Sequence, residues 1–335
     1  MRRTVPQVIS LVAIVTGVAL FVVTMLGIDR TETLNEIRRL GVLLPIVLLP
    51  SIGWHLLRAA GWYICFPANE RPSYWRVFRV RLAADGVGYF TIRGVASEPL
   101  RVVLLMGHVA PVVSAAASVL ERTAMGIMSV VGVGVFAVFA VASNLLPPAW
   151  EDVFRGIAFT AAVVLLVSFL FLVRKGNYFG PMIESIHRRT GWRWAGGRTV
   201  RAITAVEDLF LKLARTDARR IGMLILLSIA CYGLMALEVV VVFWAIGEPI
   251  SLWLGTIVET FTRSASVLGG AIPGNLGALE ASNVAVVKAL GLAGGGALAL
   301  FRRFRSLVFA TLGLALYPRD AVTATPAASI EEGAS

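Results

Sequence analysis

The chain has 335 residues, of which 57% are hydrophobic and only 15% charged, with a mean hydropathy of +0.80 and a net charge of +11. A soluble domain is roughly half apolar and a quarter charged, so this composition excludes an ordinary soluble protein and predicts a polytopic membrane protein. The basic excess does not point to nucleic acid, because eleven Lys or Arg against four Asp or Glu fall in the single loop 174–220, where membrane topology explains them.

In chain order, residues 7–27 form an apolar run too long for a signal-peptide core, with no small-residue cleavage site after it, and read as a retained signal anchor. Arg2 and Arg3 precede it and assign the N-terminus to the cytoplasm. Residues 31–40 carry Leu34, Ile37 and Leu40 at helical spacing among charges, which suits either a short interfacial helix or a plain loop. A second span runs from about Gly41 to Phe66, with Trp54, Trp62, Tyr63, Tyr74 and Trp75 as interfacial aromatics. Next comes a segment, about 77–112, interrupted by glycines and expected to enter from the cytoplasm and return to it. Further spans are expected at about 120–143, 153–173, 221–246 and 304–317. Within the basic loop, Val200, Ile203, Val206, Phe210 and Leu213 recur at three- and four-residue intervals. That pattern predicts an amphipathic helix lying on the membrane surface or packed under the bundle.

The stretch Thr260–Gly291 is apolar enough for a membrane yet broken by Pro273, Gly274 and Gly277, with Arg263 and Glu280 on either side. Irregular backbone at membrane depth is tolerated where protein or a water-filled cavity satisfies it, so such a break marks a site. Arg263 and Glu280 are expected to pair with each other, with backbone or with a ligand, since a lone intramembrane charge is expensive. The earlier segment repeats the arrangement: Arg81 precedes Glu98 by seventeen positions, as Arg263 precedes Glu280. Arg122 then follows Glu98 by twenty-four positions, and Arg303 follows Glu280 by twenty-three. Broken segments at matching places in two halves predict an inverted-topology repeat with a binding site at the breaks. The expected architecture is an all-α integral membrane protein of about six full transmembrane helices plus two re-entrant half-helix pairs, with halves at about 1–146 and 147–318. Both termini are placed in the cytoplasm, and 319–335 reads as a disordered tail.

No phosphate-binding loop, G-x-S-x-G elbow or H-E-x-x-H pair occurs in the sequence, and its three histidines are scattered. No metal or cofactor is therefore predicted. The two cysteines stand singly in apolar surroundings and imply no disulfide framework. What remains is arginine and glutamate beside half-helix ends, a combination that can receive phosphate or carboxylate or serve as structural ion pairs. Arg81 and Arg101 would serve an inward-facing cavity, and Arg263 and Arg303 an outward one. Glu98 and Glu280 would orient them or carry a proton. Arg302, Arg303 and Arg305 fall toward the outer face against the positive-inside preference, and touch either a ligand or lipid phosphates.

These residues resemble the lysylphosphatidylglycerol synthase transmembrane-region, or flippase-like, family. Ile272–Glu280 (IPGNLGALE) is similar to its Pro-Gly-x-x-Gly-x-x-Glu signature. Gly94 with Ser97-Glu98-Pro99-Leu100-Arg101 resembles its G-x-x-G-E-x-x-R segment, and Glu121-Arg122 its following Glu-Arg pair. Ser97 stands where the family often has glycine, and Arg93 where a Pro-Gly break is common. The resemblance implies a lipid-handling module in the bacterial inner membrane over roughly residues 5–317, moving a polar-headed lipid: an anionic or aminoacylated phospholipid, a hopanoid or a lipid-linked glycan. No aminoacyl-transfer domain is expected after Pro318, so that enzymatic activity is not carried over. The alternatives are a component of a lipid-modifying or glycosyl-transfer system, with Asp85, Glu98 and Glu280 as available bases, or a scaffold docked through the basic loop. Lipid-biosynthetic enzymes are the partners such readings imply.

Overall fold

The computed structural model describes residues 21–24, 26, 30–91, 97–143, 145–173, 179–190 and 197–317. Most of the signal-anchor reading at 7–27, the tail at 319–335, and Arg93 and Gly94 lie outside the described residues. The described residues are mostly helical, with no strand among them. In order the helices are α1 (Arg30–Cys65), α2 (Tyr74–Tyr89), α3 (Ser97–Leu105), α4 (Pro111–Ala142), α5 (Pro148–Val173), α6 (Phe179–Thr190), α7 (Gly197–Thr216), α8 (Ala218–Ile246), α9 (Leu252–Leu268), α10 (Ala278–Ala289) and α11 (Gly295–Ala315).

Among the described residues, four helical stretches are long and apolar enough to cross a membrane: Leu34–Cys65, Pro111–Ala142, Pro148–Leu170 and Ala218–Ile246. Their outward faces carry large exposed hydrophobics, among them Phe139, Phe159, Leu166, Phe169 and Leu226, as a lipid-facing surface requires. The chain is thus a multi-pass membrane protein. Where a short interfacial helix or loop was expected at 31–40, α1 runs unbroken from Arg30. The segment TETLNEIRRLG holds good helix formers and no proline, and Pro45 and Pro50 lie inside the helix rather than ending it. The stretch expected to span at 304–317 belongs to the longer α11, whose Arg302, Arg303 and Arg305 distinguish it from the four apolar spans.

The four helices flanking the two breaks are shorter. At 1.5 Å per residue, the 16-residue α2 is about 24 Å long and the 17-residue α9 about 26 Å, against a hydrocarbon core of about 30 Å. Local chemistry sets their ends. Ser73 caps α2 by accepting from the Arg76 amide at 3.4 Å, and Ser251 caps α9 by accepting from Leu254 at 3.2 Å. Asp217 caps α8 through the Arg220 amide at 2.9 Å, and α8 ends at Gly247 in the left-handed region.

Among the described residues three apolar clusters hold the bundle, one of them joining α4, α5 and α9 through Ala137, Ala140, Phe154 and Ile257. Trp62, Phe66, Val80, Leu105 and Leu224 join α1, α2, α3 and α8, and Leu209 and Phe210 of α7 pack against them. That contact makes α7 a helix seated on the bundle rather than one held by lipid alone. Val47, Phe243, Val258, Val286 and Phe301 join α1, α8, α9, α10 and α11. Helices α2 and α11 cross in backbone contact. A Cβ on Gly86 would stand 2.7 Å from the Ala310 carbonyl oxygen, and one on Gly313 would collide with the Leu82 carbonyl.

Candidate functional site

The second break is built from backbone that only certain residues accept. Between α9 and α10 the chain passes through Gly274 (φ 61°), Asn275 (φ 52°) and Gly277 (φ 78°). Three positive-φ residues fall within four positions, and two are glycine, which adopts such backbone without a Cβ penalty. Pro273 opens the short turn Pro273–Asn275. Glu280, fully buried in the first turn of α10, accepts from the Gly277 amide at 2.8 Å and so satisfies one orphan donor of the helix start. Its other oxygen receives Arg303 Nε at 2.5 Å. The Arg303 guanidinium continues to the Tyr89 hydroxyl at 2.7 Å and the Gly274 carbonyl at 2.9 Å. One side chain thereby ties α10, the second break and the end of α2.

Beside the first break, Glu98 in the first turn of α3 pairs with Arg122 of α4. Deeper in, Glu121 has 0% exposure and is surrounded by three arginines from three helices: Arg58 at 3.2 Å, Arg81 at 3.3 Å and Arg101 at 3.7 Å. Asp85 adds contacts to Arg101 at 2.9 Å and to Arg81 at 3.6 Å.

Near the second break the charges are exchanged. Arg302 of α11, 3% exposed, is the central residue, held by Glu259 of α9 at 2.7 Å, Glu238 of α8 at 3.4 Å and Asn283 of α10 at 3.1 Å. Arg305 meets Glu238 at 2.6 Å, and Ser51 of α1 also donates to Glu238. Arg81 and Asp85 form an i,i+4 pair on α2, and Glu259 and Arg263, at 2.8 Å, form the same pair with opposite polarity on α9. The outer pairs, Glu98 with Arg122 and Glu280 with Arg303, keep the same sense.

These groups surround a cavity of about 720 Å³ between helices of both halves. Arg58, Arg81, Arg101, Arg122, Arg263, Arg302 and Arg305 line it, against only Asp85 and Glu259 among the acids; Gly274 and Asn275 bring the second break to its wall. Three of these guanidiniums lie over aromatic rings: Arg58 over Trp54 (5.8 Å), Arg101 over Trp62 (5.3 Å) and Arg263 over Tyr232 (4.6 Å).

Of the partners expected for Arg263 and Glu280, Glu280 takes backbone, the Gly277 amide, while Arg263 turns to Glu259 and to the Ser129 hydroxyl (3.1 Å) and not to Glu280. An i,i+4 partner on the same helix is in reach without crossing the break. Arg81 and Arg101 also do not serve a cavity separate from that of Arg263, since all three line the same one; Arg303 stands outside the lining, bound to Glu280 and Tyr89. Sequence reasoning missed Arg58, Tyr89, Glu238 and Glu259. A single charge inside an otherwise apolar helix, as at Arg58 and Glu238, was the available signal. Among the described residues there is no cluster of His, Cys, Asp and Glu able to hold a metal, and Cys65 and Cys231 are free and buried.

Comparison with known proteins adds one match. The family model described as "Lysylphosphatidylglycerol synthase TM region" matches residues 8–314. No curated protein and no solved structure shows significant similarity to the chain.

Proposed function

The chain belongs to the lysylphosphatidylglycerol synthase transmembrane-region family, and from that premise we propose that it moves a polar-headed lipid between the leaflets of the bacterial inner membrane. The observation that carries this reading is the arginine-lined cavity of about 720 Å³ between two broken helix pairs, a size suited to a headgroup. A headgroup would enter the polar cavity while its acyl chains stay in lipid along the apolar helix faces.

In this reading the two breaks are re-entrant and the halves form an inverted-topology repeat, with both termini cytoplasmic. The matched but charge-exchanged clusters support it: three helices converge on Glu121 in one half and on Arg302 in the other. Alternating access then means that one cluster opens while the other stays closed around the same cavity. The chain is read as a transporter rather than an enzyme, since the two acids among the described residues of the cavity wall, Asp85 and Glu259, are engaged as arginine partners.

The test is translocation of fluorescent phospholipids in proteoliposomes, read by accessibility to a membrane-impermeant quencher. Wild type should move lipid, and Arg263→Ala and Glu280→Ala should abolish movement while inserting normally. Wild-type rates in both variants would remove the site from the reading.

A further inference from the structure

We propose that the cavity takes a lipid headgroup carrying about two negative charges, a phosphomonoester or a diphosphate, in preference to a monoanionic phosphodiester, a zwitterionic headgroup or an aminoacylated one. The proposal rests on the lipid-translocation reading and deepens it by giving the cargo a charge.

The charge balance carries the argument. Beside the first break, Arg58, Arg81 and Arg101 face Asp85 and Glu121. Beside the second, Arg263, Arg302 and Arg305 face Glu238 and Glu259. Among the described residues, three cations less two anions leave one positive charge in each cluster and two in all; Glu98, which also reaches Arg101 at 3.5 Å, offsets Arg122, and Glu280 offsets Arg303. Uncompensated charge in a low-dielectric interior is costly, and arginine does not relieve it by deprotonating. The surplus is met by something that enters the cavity.

The placement of the charges gives the surplus a direction. Glu121 and Glu238 stand behind the cavity wall, whereas all six arginines of the two clusters are in it. The Nε groups of Arg58, Arg101 and Arg263 are buried and have no hydrogen-bond partner, although other nitrogens of each are engaged. Arg101 is itself only 3% exposed. Each of these three guanidiniums also lies over an aromatic ring, at 5.8, 5.3 and 4.6 Å, which favours its position in the wall before a ligand arrives. A phosphomonoester supplies three acceptor oxygens and about −1.5 to −2 charge at neutral pH, which matches the surplus of two. A phosphodiester supplies half of that, and a lysyl headgroup would add ammonium charge to a wall that already has too much.

The experiment titrates the full-length detergent-purified protein with phosphatidic acid, phosphatidylglycerol, phosphatidylcholine and lysylphosphatidylglycerol of one acyl composition, reading bound lipid by native mass spectrometry. Phosphatidic acid should bind at least tenfold tighter than phosphatidylglycerol, with the other two weaker still. Ser129→Asp, which adds a carboxylate beside Arg263 without removing any arginine, should weaken phosphatidic acid at least tenfold and leave phosphatidylcholine unchanged. Ser228→Asp, at another position of the cavity wall on α8, repeats the test in case the first variant misfolds. Inorganic phosphate should compete only weakly; displacement of phosphatidic acid by equal concentrations of phosphate would make the ligand a free anion and overturn the proposal. Equal binding of all four lipids, or strongest binding of the lysyl form, with the variants still changing retention, would overturn the charge assignment and leave lipid translocation standing. Retention indifferent to lipid class, to Ser129→Asp and to Arg263→Ala would overturn both.

Discussion

Arg303 on α11 donates to the Tyr89 hydroxyl at 2.7 Å, and so binds the end of α2, at the first break, to α11. The same nitrogen donates to the Gly274 carbonyl at 2.9 Å. Tyr89→Phe removes one charge-assisted hydrogen bond, worth about 1.5–3 kcal/mol, with no loss of ring volume. Amide hydrogen exchange through Gly274–Gly277 should therefore speed up at least tenfold in the variant, with exchange in α8 unchanged. Unaltered exchange at the break would mean that this contact does not hold it.

Glu121 balances three arginines from three helices, so its removal strands them. Glu121→Ala should destabilise the folded protein by about 3–5 kcal/mol, the usual cost of leaving buried charges unpaired. The melting temperature in detergent checks this. Glu98→Ala, at the more exposed pair with Arg122, should cost about 1 kcal/mol or less.

The charge-exchanged pair Glu259–Arg302 offers a cleaner test of pairing. Glu259→Arg and Arg302→Glu should each lower the melting temperature strongly. The double exchange should recover part of that loss, because it restores opposite signs across the 2.7 Å contact. Simple addition of the two losses would show that they act independently.

The crossing of α2 and α11 is set by glycine. Gly313→Leu should separate the helices and lower stability by several kcal/mol, since even a Cβ there would meet the Leu82 carbonyl. Gly41→Ala, with open space around it, should be neutral or slightly stabilising. The two melting temperatures decide the matter.

How much of this was legible in the sequence follows from how far each feature depends on neighbours. Long apolar runs are local, and the spans that became α4, α5 and α8 could be read from length alone. The clustered Pro273, Gly274 and Gly277 announced broken backbone, because those residues have few other uses in an apolar helix. The near-equal spacing of Glu98–Arg122 and Glu280–Arg303, twenty-four and twenty-three positions, marked residues that the fold brings into contact. Arg58 and Glu238 could not be given partners, because which charge faces which depends on helix rotation about axes that no local pattern encodes. For the same reason Arg81 was matched by spacing to Arg263, although the contacts put Arg81 on Glu121 in the way Glu259 sits on Arg302. The continuity of α1 was obscured by its charged first turns at 31–40, whereas the part that contains Pro45 and Pro50 was expected as one span from about Gly41.

The central claim is that the arginine-lined cavity at the second break holds a lipid headgroup. The most direct measurement compares, by native mass spectrometry, the lipids that co-purify with wild type and with the Arg263→Ala/Glu280→Ala double variant. A specific lipid class retained by wild type and lost from the variant is the predicted result. The same unselective set of lipids on both proteins would contradict it.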